Sequence, residues 1–367
     1  MDIRLENVLE YEQPTKYIVK SENYSDDFAL PVLTAGKSFV LGFTDETDGI
    51  CKASESPVII FDDFTADCKY VDFDFKVKSS AMKILHKANT EDNLKYYFYA
   101  MQAIDYTPFS HKRVWISEYS KFKIKNRSIA EQNNIVKELD TVATAIDNAK
   151  QRLNALDELV KSRFIEMFVE KGFKEITFSD YAEIIDGDRG KNYPKAEEFS
   201  DEGYCLFLSA KNVTKDGFLF EQMQFISEEK DNLLRKGKLC RGDIVITTRG
   251  TIGNIAFYDD DIPYDNVRIN SGMVIIRQKE VSFNQIFFLN AFKNKIDEIK
   301  ETNVTGAAQP QLPIHIMSKI KLLNPPIELQ NEFADFVKLI DKSKFIVQKQ
   351  IDDLQELLDS KMDEYFG

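Results

Sequence analysis

Three stretches of this chain carry residues whose types and spacing could do chemistry. Residues 31–38 (PVLTAGKS) and 58–64 (VIIFDDF) have the outline of a phosphate loop followed by a magnesium-binding acid pair. That chemistry needs a glycine-rich turn leading from a strand into a helix whose N-terminus faces the phosphates. Here Pro31 stands where glycine is required, and the following FVLGF is a strand-forming run interrupted by Gly42. Residues 324–327 (NPPI) have the outline of the Asn-Pro-Pro-aromatic motif with which amino-methyltransferases hold an extruded base, but Ile327 has no aromatic face to stack on it. Asp62 and Asp63 lack the Pro-Asp start and the spaced Glu-x-Lys of a nuclease, so strand-capping or solvated acids are the simpler reading. No G-x-G dinucleotide or methyl-donor loop is present. No catalytic constellation emerges, which makes a binding module the leading class.

Composition narrows that class. The four cysteines, Cys51, Cys68, Cys205 and Cys240, form no CxxC pair, and His86, His111 and His315 lie apart from them, so neither disulfides nor a metal site is expected. The start has no basic and apolar leader, and no apolar run is long enough for a membrane span, which reads as a cytoplasmic protein without membrane contact. The net charge of −13 argues against a nucleic-acid partner at first sight. Acids outnumber bases in every segment except 120–168, where the basic excess is small. Any DNA contact must therefore use a local cluster of Lys and Arg, or cationic surface borrowed from a partner.

The elements that position such clusters are set by a duplication. SKFKIKNRSIAEQNN from residue 120 returns as SKIKLLNPPIELQNE from residue 318, and the match runs without a gap to the chain end at an offset of 198 residues. Ile135, Leu139, Val142, Ile146, Ala149, Leu153, Leu156 and Val160 alternate steps of four and three, the a/d seam of a coiled coil. The copy keeps register with Phe333, Val337, Ile340, Lys344, Val347, Ile351, Leu354 and Leu358, and Lys344 alone breaks the apolar run. A helix of about 36 residues spans roughly 54 Å. Each stripe needs a partner, and the nearest complementary one is the other copy, packed antiparallel about a pseudo-twofold axis. The NPPI twin, residues 126–129 (NRSI), could not hold a base, so the duplicated role is a helix start rather than catalysis.

The chain divides on this basis into a strand-rich domain at 1–119, a helical segment at 120–168, a second strand-rich domain at 169–317 and a second helical segment at 318–367. The order of elements is parallel in the two domains: LTAGK corresponds loosely to LSAKN, and VKSSAMKIL to INSGMVIIR. Gly and short polar residues cluster at strand ends, at 34–38, 186–191, 247–253 and 305–311, and a cationic stretch with an aromatic, HKRVW, lies at 111–115. Such loops let a backbone approach a phosphate or base edge, with Arg, Lys, Thr, Asn and Gln as readers. For each loop alone, an ordinary turn with solvated charge is the better reading.

The order of these features resembles the specificity subunits of type I restriction-modification enzymes over the whole chain. Carrying the resemblance are KLLNPPIELQN at 321–331, its degenerate twin KIKNRSIAEQN at 123–133, LSAKN, GDIVITTRGTIG, and TGAAQPQLP before the second helix. It implies an α+β fold with two β-rich target-recognition domains, separated by two long antiparallel helices in a pseudo-twofold coiled coil. Each domain would read half of a bipartite double-stranded DNA site, and the helices would set the spacer. Catalysis would belong to two modification subunits that bind S-adenosylmethionine and, where the system cleaves, to an ATP-dependent restriction subunit; this chain would bind no cofactor. The residues the resemblance assigns to DNA are Lys37, Lys78, Ser79 and Arg113 in the first domain, and Arg189, Lys191, Lys211, Asn212, Arg249 and Gln309 in the second. Arg127 and Ser128 depart from the pattern by replacing its two prolines. The competing readings are an interaction protein that occupies methyltransferase subunits without directing them and, more remotely, a P-loop-type NTPase.

Overall fold

The computed structural model describes residues 2–35, 38–109, 112–215, 217–249, 251–279, 283–303, 312 and 314–367. By contact the chain falls into two compact units, Met1–Gln151 with Val347–Gly367, and Arg152–Ile346. Each contains one strand-rich region and part of both long helices.

In the first unit, a four-stranded antiparallel sheet has the order Leu9–Glu12, Met82–Lys87, Val58–Asp62, Cys68–Val71. One of its two inner strands, VIIFD, is buried at every position, as its apolar run requires of a strand covered on both faces. A three-stranded sheet, Val40–Thr44, Leu30–Leu33, Lys76–Val77, contains one parallel pair. The strand Asp2–Arg4 pairs with Lys123–Lys125, so residues grouped by sequence with the helical segment fold onto the strand-rich region. The aromatic core gathers Phe61, Tyr96, Trp115 and Tyr119, with Phe61 and Trp115 rings 5.0 Å apart.

The second unit repeats this topology. Its four-stranded order is Ala182–Asp186, Met273–Gln278, Asp243–Thr247, Ile255–Tyr258, and its three-stranded sheet is Phe225–Ile226, Cys205–Leu208, Val267–Ile269, again with one parallel pair. Glu175–Thr177 pairs with Lys321–Leu323 as Asp2–Arg4 does with Lys123–Lys125. The duplication thus includes the domains, where sequence gives only a loose correspondence.

The long helices are Ile129–Phe164, of 36 residues, and Ile327–Phe366, of 40. Within the first unit, Ile135, Leu139, Val142, Ile146, Ala149, Val347 and Ile351 are buried, and Leu354 and Leu358 are half-buried. Glu138 accepts from Lys361 at 2.6 Å and from the Tyr365 hydroxyl at 2.7 Å, while Lys125 reaches the Gly367 carbonyl, so the helical stretches here run antiparallel. Within the second unit, Val160, Phe333, Val337 and Ile340 are buried and Leu153 and Leu156 half-buried. Arg163 meets Glu332 and Lys344 meets Asp157, again antiparallel. Asp157 thereby satisfies the lysine that breaks the seam, with Asp341 at 3.9 Å.

Both long helices start on the same joint. The buried Gln132 accepts the Asn93 backbone N–H at 2.9 Å and donates to the Arg127 carbonyl at 3.1 Å, while Asn93 and Asn133 side chains bond at 2.9 Å. In the second unit Gln330 accepts the Asn284 N–H at 2.9 Å and donates to the Pro325 carbonyl at 2.9 Å, and Asn284 bonds Asn331 at 2.9 Å. Asn93 caps the helix Leu94–Gln102, and Asn284 precedes Gln285–Asn303 with its side chain accepting from the Ile286 N–H. One amide thus ties a helix start, the loop before it and the last helix of its strand-rich region. The departure at Arg127 and Ser128 is compensated locally. Ser128 and Glu131 form a capping box, which defines by hydrogen bonding the helix start that two prolines define by stiffness.

Candidate nucleic-acid interface

In each unit, described residues within or beside the loops singled out by sequence are held at one edge of the sheets by the same three backbone bonds. In the second unit these run from Asn270 N–H to Leu208 at 3.0 Å, from Thr248 N–H to Gly272 at 2.8 Å and from Leu312 N–H to Thr248 at 3.3 Å. Their counterparts in the first run from Lys78 to Leu33 at 2.9 Å, from Asp63 to Ala81 at 3.3 Å and from Val114 to Asp63 at 3.0 Å. A common scaffold therefore presents different side chains, with Lys78 in place of Asn270 and Asp63 in place of Thr248.

In the second unit, Arg189, Lys191, Lys211 and Arg249 are exposed on these loops. Arg189 is steadied by Asp186 at 3.1 Å and by the Ser271 carbonyl at 3.2 Å, and Lys211 donates to Gln222 at 3.2 Å. The chain approaches itself closely here: a Cβ on Gly187 would lie 2.2 Å from the Asn270 carbonyl oxygen, so no other residue fits without moving backbone. Asn212 does not join the exposed set. It is 2% exposed, its oxygen accepts from the Ser209 N–H and hydroxyl, and its nitrogen donates to the Leu219 and Gln222 carbonyls. An amide so engaged holds the turn and has no edge left for adenine, which corrects its assignment as a reader. Gln309 lies outside the described residues.

Arg235 and Lys236, which sequence reasoning missed, are exposed beside the same edge. Asp188 draws them in, accepting the Arg235 N–H at 2.8 Å and the Gly190 N–H at 2.7 Å. Burial pushes the Asp188 carboxyl up, but backbone N–H groups of Gly190, Arg235 and Lys236 outweigh it and hold the group below its ordinary value. Asp188 therefore stays an anion that organises cations.

In the first unit, Arg113 is exposed and donates to the Ser80 carbonyl at 3.2 Å, next to the exposed Ser79. Lys78 is half-buried, paired with Glu22 and 5.8 Å from the Tyr24 ring centre. A phosphate would have to compete with Glu22 for it. Lys37 lies outside the described residues. Asp63 is buried, accepts the Trp115 N–H at 2.9 Å and lies 3.4 Å from buried Lys83, which makes it an anchor for the 112–115 segment rather than a nuclease ligand.

The phosphate-loop reading is excluded by the fold. Leu30–Leu33 turns back into the antiparallel strand Val40–Thr44, so no helix start faces the turn. A groove of about 650 Å³ in the second unit is lined by Asp157, Glu158, Asp259, Asp261, Asp297 and Asp341 against Lys161, Lys293 and Lys344, a balance that repels phosphate groups. Among the described residues, no cluster of His, Cys, Asp and Glu is arranged to hold a metal, and no helix is long and apolar enough to cross a membrane.

Residues 170–356 match the family described as the type I restriction modification DNA specificity domain. The chain is 30% identical over 379 residues to the type I restriction enzyme EcoR124I/EcoR124II specificity subunit of Escherichia coli, covering 98% of this chain and 91% of that one. It is 24% identical over 312 residues to the type I restriction enzyme MjaVIII specificity subunit of Methanocaldococcus jannaschii, covering 76% of this chain and 71% of that one. The fold is shared with the S subunit of a type I restriction-modification system from M. genitalium, with a TM-score of 0.53 at 16% identity over 100% of this chain and 96% of that one. A domain match over half the chain and a near full-length relative agree with the twice-built scaffold, and the chain belongs to the specificity subunits of type I restriction-modification systems.

Proposed function

We propose that each unit reads one half of a bipartite double-stranded DNA target through its loop edge, and that the two long helices hold the half-sites at a fixed spacing and dock methyltransferase subunits. The observation that carries this is the scaffold built twice with different exposed side chains: one frame suits one kind of ligand, and different decorations suit different sequences. On this reading the chain is non-catalytic and binds no cofactor of its own. It acts in the cytoplasm, with S-adenosylmethionine and any ATP-driven cleavage supplied by partner subunits, whose surfaces also offset its acidic charge at the phosphates. An interaction protein that merely occupied methyltransferase subunits would need neither scaffold.

Arg249 tests the assignment. It is exposed on a loop pinned by the neighbouring Thr248, so its removal leaves the frame intact. Arg249→Ala is expected to lower discrimination about 10- to 100-fold at positions within one half-site, the loss of one forked base contact. The readout is methylation of a target library by the assembled complex. Equal loss in both halves would show that the residue supports the fold instead.

A further inference from the structure

Phe109 is 106% exposed, against 73% for Phe345, the next most exposed large apolar side chain among the described residues. It does not stand on a loose end. Before it, the Tyr106 ring packs against Tyr119 at 5.6 Å and Phe122 at 5.3 Å, and its hydroxyl donates to Glu118 at 2.6 Å. After it, Arg113 is bonded to the Ser80 carbonyl, and Val114 and Trp115 are bonded to Asp63. Described residues before and after it are thus anchored, the later ones on the loop edge described above, and the Phe109 ring itself is exposed to water. Exposed Lys112 and Arg113 follow within four residues, and cations beside an apolar tip suit a surface that alternates phosphate with base stack. At the 198-residue offset the sequence has Ala307, so the feature belongs to one half of the chain.

We infer that Phe109 is a wedge that enters a base step of duplex DNA at the edge of the first unit's half-site, unstacking it while Lys112 and Arg113 hold the flanking phosphates. This rests on the reading of the chain as a DNA-recognition subunit. Apolar wedges of this kind trade stacking for a bent duplex that touches more protein. The wedge would make the two half-sites unequal, with deformability read at a position where no base-edge contact is made.

The test uses the chain assembled with its methyltransferase subunits and without S-adenosylmethionine. Target duplexes carry 2-aminopurine at successive positions through and beside the first unit's half-site. Fluorescence is expected to rise at one step away from the methylated base. Phe109→Ala should abolish that rise and weaken binding about 10-fold, within the range of one lost base-aromatic contact, and Phe109→Leu should retain most of both. Signal from the methylated base itself should persist in both variants. If the unsubstituted complex shows no preference for any target, the recognition reading fails. If it binds its target but no position responds to Phe109→Ala, the wedge is wrong. Loss of subunit association in place of base unstacking would overturn it as well, by making Phe109 a protein contact.

Discussion

Arg268→Met is expected to destabilise the chain by about 3–5 kcal/mol, because it takes one of two cations from a buried carboxylate and strips three backbone carbonyls of a donor. Arg268 is 5% exposed and pairs with Asp231, itself 1% exposed; it also donates to the carbonyls of Lys236 at 2.8 Å, Asp231 at 2.9 Å and Leu234 at 3.2 Å. One guanidinium thus fastens residues 231–236, which carry Arg235 and Lys236, to the strand Val267–Ile269. Lys238 also reaches Asp231, at 2.6 Å, and limits the loss without replacing the three carbonyl bonds. Burial pushes the Asp231 carboxyl up, and hydrogen bonds from Lys238 and Arg268 outweigh it, so the group sits below its ordinary value of 3.8. Its contribution to stability is therefore present above that value and lost as pH falls through the lower folded one. Denaturant titration measures the loss, and Lys338→Met, which breaks the exposed pair with Asp335, should cost under about 1 kcal/mol by the same measurement. A loss below about 1 kcal/mol for Arg268→Met would mean that the segment is held by other contacts.

Gln330→Leu should cost about 2–4 kcal/mol, since it removes both hydrogen bonds of a buried amide and orphans the Asn284 N–H and the Pro325 carbonyl. Gln132→Leu should cost a similar amount through Asn93 and Arg127. Asn331→Ala and Asn133→Ala break the exposed limb of each joint and should cost under about 1 kcal/mol, as hydrogen bonds that water can replace. Urea unfolding of the four variants reads the contrast. Similar losses for the glutamine and asparagine changes would place the strength of the joint in packing rather than in the buried amide.

The helices were legible from sequence because their seam residues recur at fixed steps, and a seam tolerates few chemistries. Leu139 and Val337 occupy equivalent positions, and both are buried. The domains were less legible because strand cores accept Val, Ile and Phe interchangeably, so equal topology leaves little identity. VIIFD and DIVIT are the same inner strand of the two four-stranded sheets, yet in register they share only one identity, Ile59 with Ile244. The counterpart of the 111–115 stretch was missed for a related reason. Val114 and Leu312 make equivalent backbone bonds at the same 198-residue offset as the helices, but a backbone bond constrains no side chain.

The loop residues show where side-chain type misleads. Asn212 has the chemistry of an adenine reader and spends all of it on its own turn. Arg235 and Lys236 have no motif around them and reach the edge through an aspartate 47 residues earlier. The charge of Lys78 suits a phosphate contact, but its pairing with Glu22 comes from a segment 56 residues away. Composition and spacing located the loops, and the partners of each cation decide which of them remain available to DNA.

The central claim is that one chain carries two different readers. Co-expression with methyltransferase subunits of a type I system, followed by base-resolution mapping of the methylated positions in the host genome, tests this most directly. The predicted result is a split, non-palindromic motif, two short defined sequences separated by a fixed unspecified gap. A single contiguous palindrome would contradict it.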